Sequence, residues 1–292
     1  MSGNMRIFPL IAFGLYMMFY YFHNQQRVPV TGRKHLVDTS IQQDAALGLQ
    51  SYQEILKQSQ VIQSGPQVDM IRRVGERLKK VVDDPGFQWE FNLIQSNQVN
   101  AFCLPGGKVA VYSGILPIVQ NENGLAVVMG HEISHAIARH GAERMAEQKL
   151  VELGTLAVGV SASNMDPLKR AAVMGALGVG AQYGILLPFS REQESEADYM
   201  GLIYLSRACY DPTEAPKLWE RMSAAASGSP SEFMSTHPSH ATRIHQFQQW
   251  MPEAQDERAK HCGGGSSSSP RERDRVSSAL AYRGQRRPAF VR

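Results

Sequence analysis

Apolar residues recur along the chain with two different periods, which predict a mainly helical protein that contains a short stretch of sheet. Helical spacing marks Thr39–Gln63 and Gln67–Val82, and the second segment carries an apolar stripe flanked by arginines and lysines. Alternating apolar and polar residues predict a strand over Phe87–Gln95. Val99–Leu104 and Lys108–Tyr112 flank a Pro-Gly-Gly turn and predict a hairpin or a tight strand connection. The predicted fold class is therefore α+β, mainly helical.

The elements predicted from Ser113 onward are all helices. Leu125–Ile137 is too apolar for an exposed helix, and another helix opens at Ser190, which can form a capping box with Gln193. Ala171–Phe189 carries no charge and contains four glycines, which favours a tightly packed helix, with a membrane segment as the alternative. The other predicted helices are Ser113–Gln120, Ala142–Leu153, Glu214–Ala226 and Ala241–Trp250.

A run of sixteen uncharged residues, Ile7–Phe22, lies near the amino terminus. As a helix it spans about 24 Å, slightly less than the hydrocarbon core of a bilayer at about 30 Å. The run ends in bulky residues, whereas a cleaved signal peptide usually ends in small ones, so we expect an uncleaved membrane anchor. A cleaved signal and a buried soluble helix are the alternatives. Basic residues after the run would, by the positive-inside rule alone, place the domain in the cytoplasm.

Three regions are predicted along the chain. Residues 1–35 form the anchor or signal segment with its link, and residues 36–252 form one domain. Residues 253–292 are polar, contain runs of glycine and serine, and end in an arginine-rich stretch. Such a composition predicts a disordered basic tail.

Charge and cysteine content exclude several classes of protein. The net charge is only +3 and no nucleic-acid-binding motif is present, so no nucleic acid partner is expected. Cys103, Cys209 and Cys262 are far apart and have no CxxC spacing. They are interpreted as ordinary thiols rather than a disulfide framework or a metal site, with a Cys103–Cys209 bridge as the alternative.

The clearest chemical signal is an HExxH motif, His131-Glu132-Ile133-Ser134-His135. Two histidines four residues apart project about 40° from each other on a helix, so both imidazoles can bind one metal ion beside Glu132. The alternative is an ordinary helix whose two histidines are hydrogen-bonded within the protein or exposed, and bind no metal. The apolar surroundings favour the metal, because buried histidines need partners. The motif predicts one Zn²⁺ per chain.

An acidic cluster after Ser190 offers the missing oxygen ligand. From spacing alone, Glu192, Glu194 and Glu196 are all candidates. Asp198 lies one helical turn after Glu194 and is suited to hold the other ring nitrogen of a ligand histidine.

Three separated motifs occur in an order that resembles one family of proteases. They are His131-Glu132-xx-His135, then Ser190-Arg191-xx-Glu194-xx-Ala197-Asp198, then Thr236-His237-Pro238 with Arg243. They are similar to the gluzincins that include the CAAX prenyl proteases, the HtpX heat-shock proteases, bacterial periplasmic quality-control proteases and the Oma-type mitochondrial protease. The segments Pro29–Arg33 and Asn100-Ala101-Phe102 look most like the periplasmic and Oma-type members. The likeness covers about Val28 to Trp250.

The resemblance implies a zincin-like domain with a small sheet beside the HExxH helix. It implies that the zinc ligands are His131, His135 and Glu194. Glu132 becomes the catalytic base that takes a proton from water, and Asp198 becomes the partner of a ligand histidine. The resemblance places His237 and Arg243 near the scissile carbonyl. It also implies that three residues lie beside the substrate: Asn100, Ala101 and Phe102. The implied activity is cleavage of unfolded or misassembled membrane or envelope proteins.

Three other interpretations are weighed. The metzincin pattern needs glycine at 138 and histidine at 141, whereas Ala138 and Gly141 stand there and His140 is one position early. A CAAX-type protease is disfavoured because the chain lacks many membrane spans. A latent enzyme or metal-containing binding module remains open, since Gly154–Pro188 could cover the cleft. The resemblance favours a membrane-anchored, extracytoplasmic domain, against the charge bias around the anchor.

Overall fold

The computed structural model describes residues 7–175, 190–225, 232–237 and 242–263. Within these ranges, helices surround a small sheet, which confirms the predicted fold class. The helices are α1 (Phe8–His23), α2 (Ile41–Lys57), α3 (Pro66–Lys79), α4 (Leu116–Val119), α5 (Glu122–Ile137), α6 (His140–Ser161), α7 (described over 167–175), α8 (Arg191–Arg207), α9 (Glu214–Ala225), α10 (Glu232–Thr236) and α11 (Arg243–Cys262). The strands are β1 (Gln25–Arg27), β2 (Lys34–Leu36), β3 (Val61–Ile62), β4 (Glu90–Ile94), β5 (Ala101–Leu104) and β6 (Lys108–Tyr112).

The main sheet has four strands in the order β3-β4-β6-β5. β5 and β6 pair antiparallel around the Pro-Gly-Gly turn, which confirms the predicted hairpin. Gly106 and Gly107 both have positive φ there, a conformation that glycine adopts at little cost. β5 ends the strand order, and α5 packs against it. The sheet therefore presents an edge strand beside the HExxH helix.

The HExxH helix α5 lies in the centre of the core. Each of its residues from Gly124 to Ile137 is buried, as its apolar sequence predicts. It packs closely on α8, because Gly130 and Gly201 meet without side chains, and a Cβ on Gly201 would lie only 2.9 Å from the carbonyl carbon of Gly130. This close approach brings the histidines of α5 to the acidic residues of α8.

The apolar run near the amino terminus forms α1, and most of its large side chains are exposed. One side of α1 packs on α6, where the ring of Phe13 lies against Gly154. Among the residues that the structure describes, no helix combines the length and apolarity that a bilayer crossing requires. After α1, the strands β1 and β2 pair antiparallel around the turn at Pro29–Gly32.

The carboxyl end of the domain differs from the prediction in two ways. Helix α11 continues to Cys262, so the prediction of disorder from residue 253 is wrong for the first ten residues of the tail. Cys262 forms a disulfide with Cys209, which corrects both the interpretation of three ordinary thiols and the Cys103–Cys209 alternative. Cys103 is free and buried. The disulfide closes a loop across 53 positions, and such a link stabilises a fold mainly by restricting the unfolded chain, by about 2–4 kcal/mol.

Two predictions fall largely on residues outside the described part. Of the uncharged segment 171–189, only residues 171–175 are described, and they are helical. The tail from 264 to 292 also lies outside the described residues.

Candidate active site

Two buried histidines on α5 and one glutamate on α8 converge at the centre of the domain. The Nε2 atoms of His131 and His135 lie 3.1 Å apart. Glu194 Oε1 lies 3.4 Å from His135 Nε2, and Glu194 Oε2 lies 3.5 Å from His131 Nε2. The structure thus brings together the three residues that the resemblance implies as zinc ligands.

The separations of these donor atoms fit a single metal ion. Zinc binds imidazole nitrogen and carboxylate oxygen at about 2.0–2.1 Å in tetrahedral sites, so neighbouring ligand atoms should be about 3.3 Å apart. Those in the protein are 3.1 to 3.5 Å apart. Together with His237, the three residues form the described group whose donor atoms all lie within 4.8 Å of one another.

Charge in the surroundings favours a cation at this point. Burial disfavours a charged imidazole, but hydrogen bonds with Asp198 and Glu194 outweigh it and raise the pKa of His131 to about 9. Burial likewise disfavours an ionised Glu194, yet hydrogen bonds with His131, His135 and His237 hold the pKa of its carboxyl far below the usual range. The carboxylate of Glu194 therefore stays ionised.

Asp198 and Arg243 form hydrogen bonds with His131 and Glu194, two of the three residues described above. Asp198 Oδ1 accepts a hydrogen bond from His131 Nδ1 at 2.9 Å, so that His131 Nε2 is left facing the centre. Arg243 is buried, with its guanidinium 3.5 Å from the ring centroid of Trp219. It donates to Glu194 Oε2 and Asp198 Oδ1, each at 3.0 Å, and holds both carboxylates in place.

Glu132 and His237 are two further titratable residues beside the histidines of α5. Glu132 is buried, and its Oε1 has no hydrogen-bond partner among the described residues. Burial raises the pKa of the Glu132 carboxyl despite the nearby His237 and His131. His237 directs Nε2 toward Glu132 Oε1 at 3.4 Å and Nδ1 toward Glu194 Oε1 at 2.9 Å.

The other acidic candidates of α8 lie away from the metal-ligand group. Glu192 is exposed. Glu196 is buried and points to the opposite side, where it binds Arg33 and His140. Of the three glutamates that spacing alone leaves open, only Glu194 faces both histidines.

The residues that the resemblance places beside the substrate lie at the edge strand of the sheet. Asn100 precedes β5, and its side-chain oxygen accepts a hydrogen bond from the backbone N–H of Ala101 at 2.9 Å. Ala101 is buried, and Phe102 is half-buried against Tyr52 and Tyr112. A mostly apolar cavity of about 120 Å³ lies between the end of β5 and the site, lined by Phe87, Cys103, Leu104, His135, Ala136 and Ala142 among others.

A buried polar network beside His135 was not anticipated from the sequence. His140 Nδ1 lies 2.8 Å from His135 Nδ1, and His140 Nε2 lies 3.0 Å from Glu196 Oε2. Arg33 joins Glu196 to Glu143 through hydrogen bonds of 2.7 and 2.8 Å. The only sequence signal is the Pro29–Arg33 motif, because Arg33 lies 110 and 163 positions from its partners Glu143 and Glu196 and such separations give no periodic pattern.

This fold and site define the class of HExxH metallopeptidases in which a later helix adds a glutamate to the two histidines. The chain belongs to peptidase family M48, whose family model matches residues 67–251. It is a metalloendopeptidase.

Named relatives agree with the resemblance to Oma-type and periplasmic proteases. The mitochondrial metalloendopeptidase OMA1 of Schizosaccharomyces pombe is 39% identical over 245 residues, which cover 82% of this chain and 70% of the relative. The protein of the same name from Saccharomyces cerevisiae is 32% identical over 276 residues, 88% of this chain and 77% of the relative. The beta-barrel assembly-enhancing protease of Escherichia coli is 31% identical over 211 residues, 70% of this chain and 43% of the relative.

Proposed function

We propose that the protein is a zinc-dependent endopeptidase whose metal is held by His131, His135 and Glu194. The observation that carries the proposal is the near-tetrahedral spacing of the donor atoms of these three residues, beside a buried Glu132 whose Oε1 makes no hydrogen bond within the described residues. A zinc ion supplies a Lewis acid that polarises a carbonyl and acidifies water. The protein's own residues supply the rest of the chemistry.

Glu132 is proposed as the group that moves protons. It accepts a proton from the attacking water and passes it to the leaving amine, which is the role of a general base that becomes a general acid. Its free oxygen is available for this, because no protein donor in the described part occupies it. His237, whose Nε2 lies 3.4 Å from that oxygen, is placed to donate a hydrogen bond to the developing oxyanion.

An extended polypeptide is the proposed substrate, bound along β5. An edge strand can add a further strand through backbone hydrogen bonds, which gives affinity without strong sequence selection. Asn100, Ala101 and Phe102 lie at the start of this strand, and the apolar cavity at its other end can take a substrate side chain. Unfolded or misassembled membrane and envelope proteins expose such segments.

Membrane association through α1 is proposed as well. Phe8, Phe19 and Phe22 each expose two thirds or more of their surface, and large exposed apolar patches mark binding to lipid or protein. Relatives named as mitochondrial and as beta-barrel assembly-enhancing favour an extracytoplasmic, membrane-anchored enzyme in quality control.

The direct test measures metal content and cleavage together. Purified full-length protein should contain about one zinc and should cleave an unfolded polypeptide such as reduced casein. A strong chelator should abolish cleavage, and added Zn²⁺ should restore it. Cleavage that survives complete removal of the metal would contradict the proposal.

A second candidate, a latent enzyme, is favoured by one observation about His237. Its nitrogen belongs to the same group of four donors as the three proposed ligands, so it can fill the fourth position of a tetrahedral metal. The cleavage rate of His237→Ala distinguishes a His237 that stabilises the oxyanion from one that occupies the metal. Activity falls if His237 stabilises the oxyanion, by about 10²–10³-fold, and rises if His237 blocks the metal.

A further inference from the structure

The Pro29–Arg33 motif has no part in the chemistry proposed so far. It forms the turn between β1 and β2, in which Val30 and Gly32 have positive φ of 64° and 71°. The turn brings Thr31 and Arg33 against α8. The Thr31 hydroxyl donates to Glu196 Oε1, and Arg33 Nε donates to Glu196 Oε2 at 2.7 Å. The motif therefore holds a buried carboxylate two residues beyond Glu194.

The carboxylate of Glu196 determines which nitrogen of His140 carries the proton. Arg33 is a permanent donor with no acceptor, so it keeps Glu196 as an acceptor. Glu196 Oε2 lies 3.0 Å from His140 Nε2, and His140 is fully buried. The proton of a neutral His140 must then lie on Nε2, which leaves its Nδ1 as an acceptor.

The acceptor nitrogen of His140 faces His135. The two Nδ1 atoms lie 2.8 Å apart, and a hydrogen bond between them requires a proton on one of them. Since His140 Nδ1 carries none, His135 Nδ1 must donate. Its Nε2 is then unprotonated, which is the form that a metal ligand needs.

We propose that His140, Glu196 and Arg33 form a positioning relay that fixes the ring orientation and tautomer of His135 for metal binding. The inference rests on the proposed metal site. The two histidines of α5 are oriented by different devices, because His131 donates directly to the carboxylate of Asp198 whereas His135 donates to His140. The Pro29–Arg33 motif is the outer end of this relay.

Glu196→Leu is the variant that tests the relay. Arg33 Nε and His140 Nε2 both contact the same oxygen of Glu196, Oε2, so leucine removes the acceptor that keeps the proton of His140 on Nε2. The relay then no longer prevents His140 from carrying its proton on Nδ1, which opposes the donor form of His135. We expect the affinity for Zn²⁺, measured in the full-length protein by competition with a chelating dye, to fall about 10–100-fold.

Glu143→Leu is the matched control. Glu143 is also buried and bound to Arg33, at 2.7 and 2.8 Å, but its other partners are Gln193 and His35 rather than His140. We expect it to lower the thermal stability while leaving the affinity for Zn²⁺ close to that of the unchanged protein. Equal loss of affinity in both variants, in proportion to lost stability, would overturn the relay.

Nitrogen NMR of histidine-labelled, zinc-loaded protein gives a second readout. The proton of His135 should lie on Nδ1 in the unchanged protein and in Glu143→Leu. If Glu196→Leu does not fold, His140→Asn, which keeps an acceptor, should bind Zn²⁺ more tightly than His140→Leu; equal affinity would contradict the inference. Failure of the unchanged protein to bind Zn²⁺ overturns the proposed function, whereas normal binding with unaltered affinity in Glu196→Leu overturns the relay alone.

Discussion

Glu132→Gln should abolish proteolysis while the protein keeps its metal. The side chain is buried, and its Oε1 lies 3.4 Å from His237 Nε2 without a hydrogen bond among the described residues, so an amide of the same shape fits the same space. An amide cannot accept a proton from water, and loss of a general base costs about 10²–10⁴-fold in rate. The expected result is a fall in kcat of that size for cleavage of an unfolded polypeptide, with unchanged zinc content.

Glu122→Gln is the control for this variant. Glu122 lies in the first turn of the same helix, half-exposed, and pairs with Arg73 at the surface. Its replacement should leave cleavage and metal content unaltered. Cleavage by Glu132→Gln at the rate of the unchanged protein would remove Glu132 from the chemistry, and loss of zinc from that variant would assign it a structural role instead.

Glu194→Ala should remove the metal itself. Glu194 supplies the only carboxylate within the described group of four donors, so the two histidines and His237 would be left with no negative ligand. Loss of an outer partner of a metal ligand already costs about 10–100-fold in affinity, and loss of the ligand should cost more. Purified Glu194→Ala should therefore contain little zinc and show no cleavage.

Glu192→Ala is the matched control, because Glu192 is an exposed glutamate on the same helix. Stability must be measured as well. Arg243 loses one of its two carboxylates in Glu194→Ala but keeps Asp198, so the loss should be smaller than the about 3–5 kcal/mol that follows when a buried pair is broken outright. A folded Glu194→Ala that binds zinc as tightly as Glu192→Ala would refute the proposed ligand set.

Local patterns in the sequence predicted the elements that carry the site. The HExxH spacing requires a helix, and the apolar residues around it required that helix to be buried, as α5 is. The capping box at Ser190 and Gln193 predicted the start of α8, and both of its hydrogen bonds are present at 3.2 Å. These features depend on residues within one or two helical turns, where periodicity and capping chemistry are informative.

Contacts between distant segments could not be predicted in the same way. In the sequence, His140 stands out only as a near miss to the metzincin zinc pattern, although its ring lies against His135. The partner of Cys209 lies 53 positions away in a polar segment that reads as disordered, because composition there shows no apolar stripe long enough to predict a buried helix. Such pairs are determined by how helices pack, which neither spacing nor composition records.

The central claim is that one zinc ion is bound between α5 and α8, and anomalous diffraction at the zinc absorption edge tests it most directly. Crystals of the purified protein should show one strong peak per chain, within about 2.0–2.2 Å of His131 Nε2, His135 Nε2 and a Glu194 carboxylate oxygen. A zinc peak elsewhere, or none at these three residues in protein that cleaves substrate, would contradict the account.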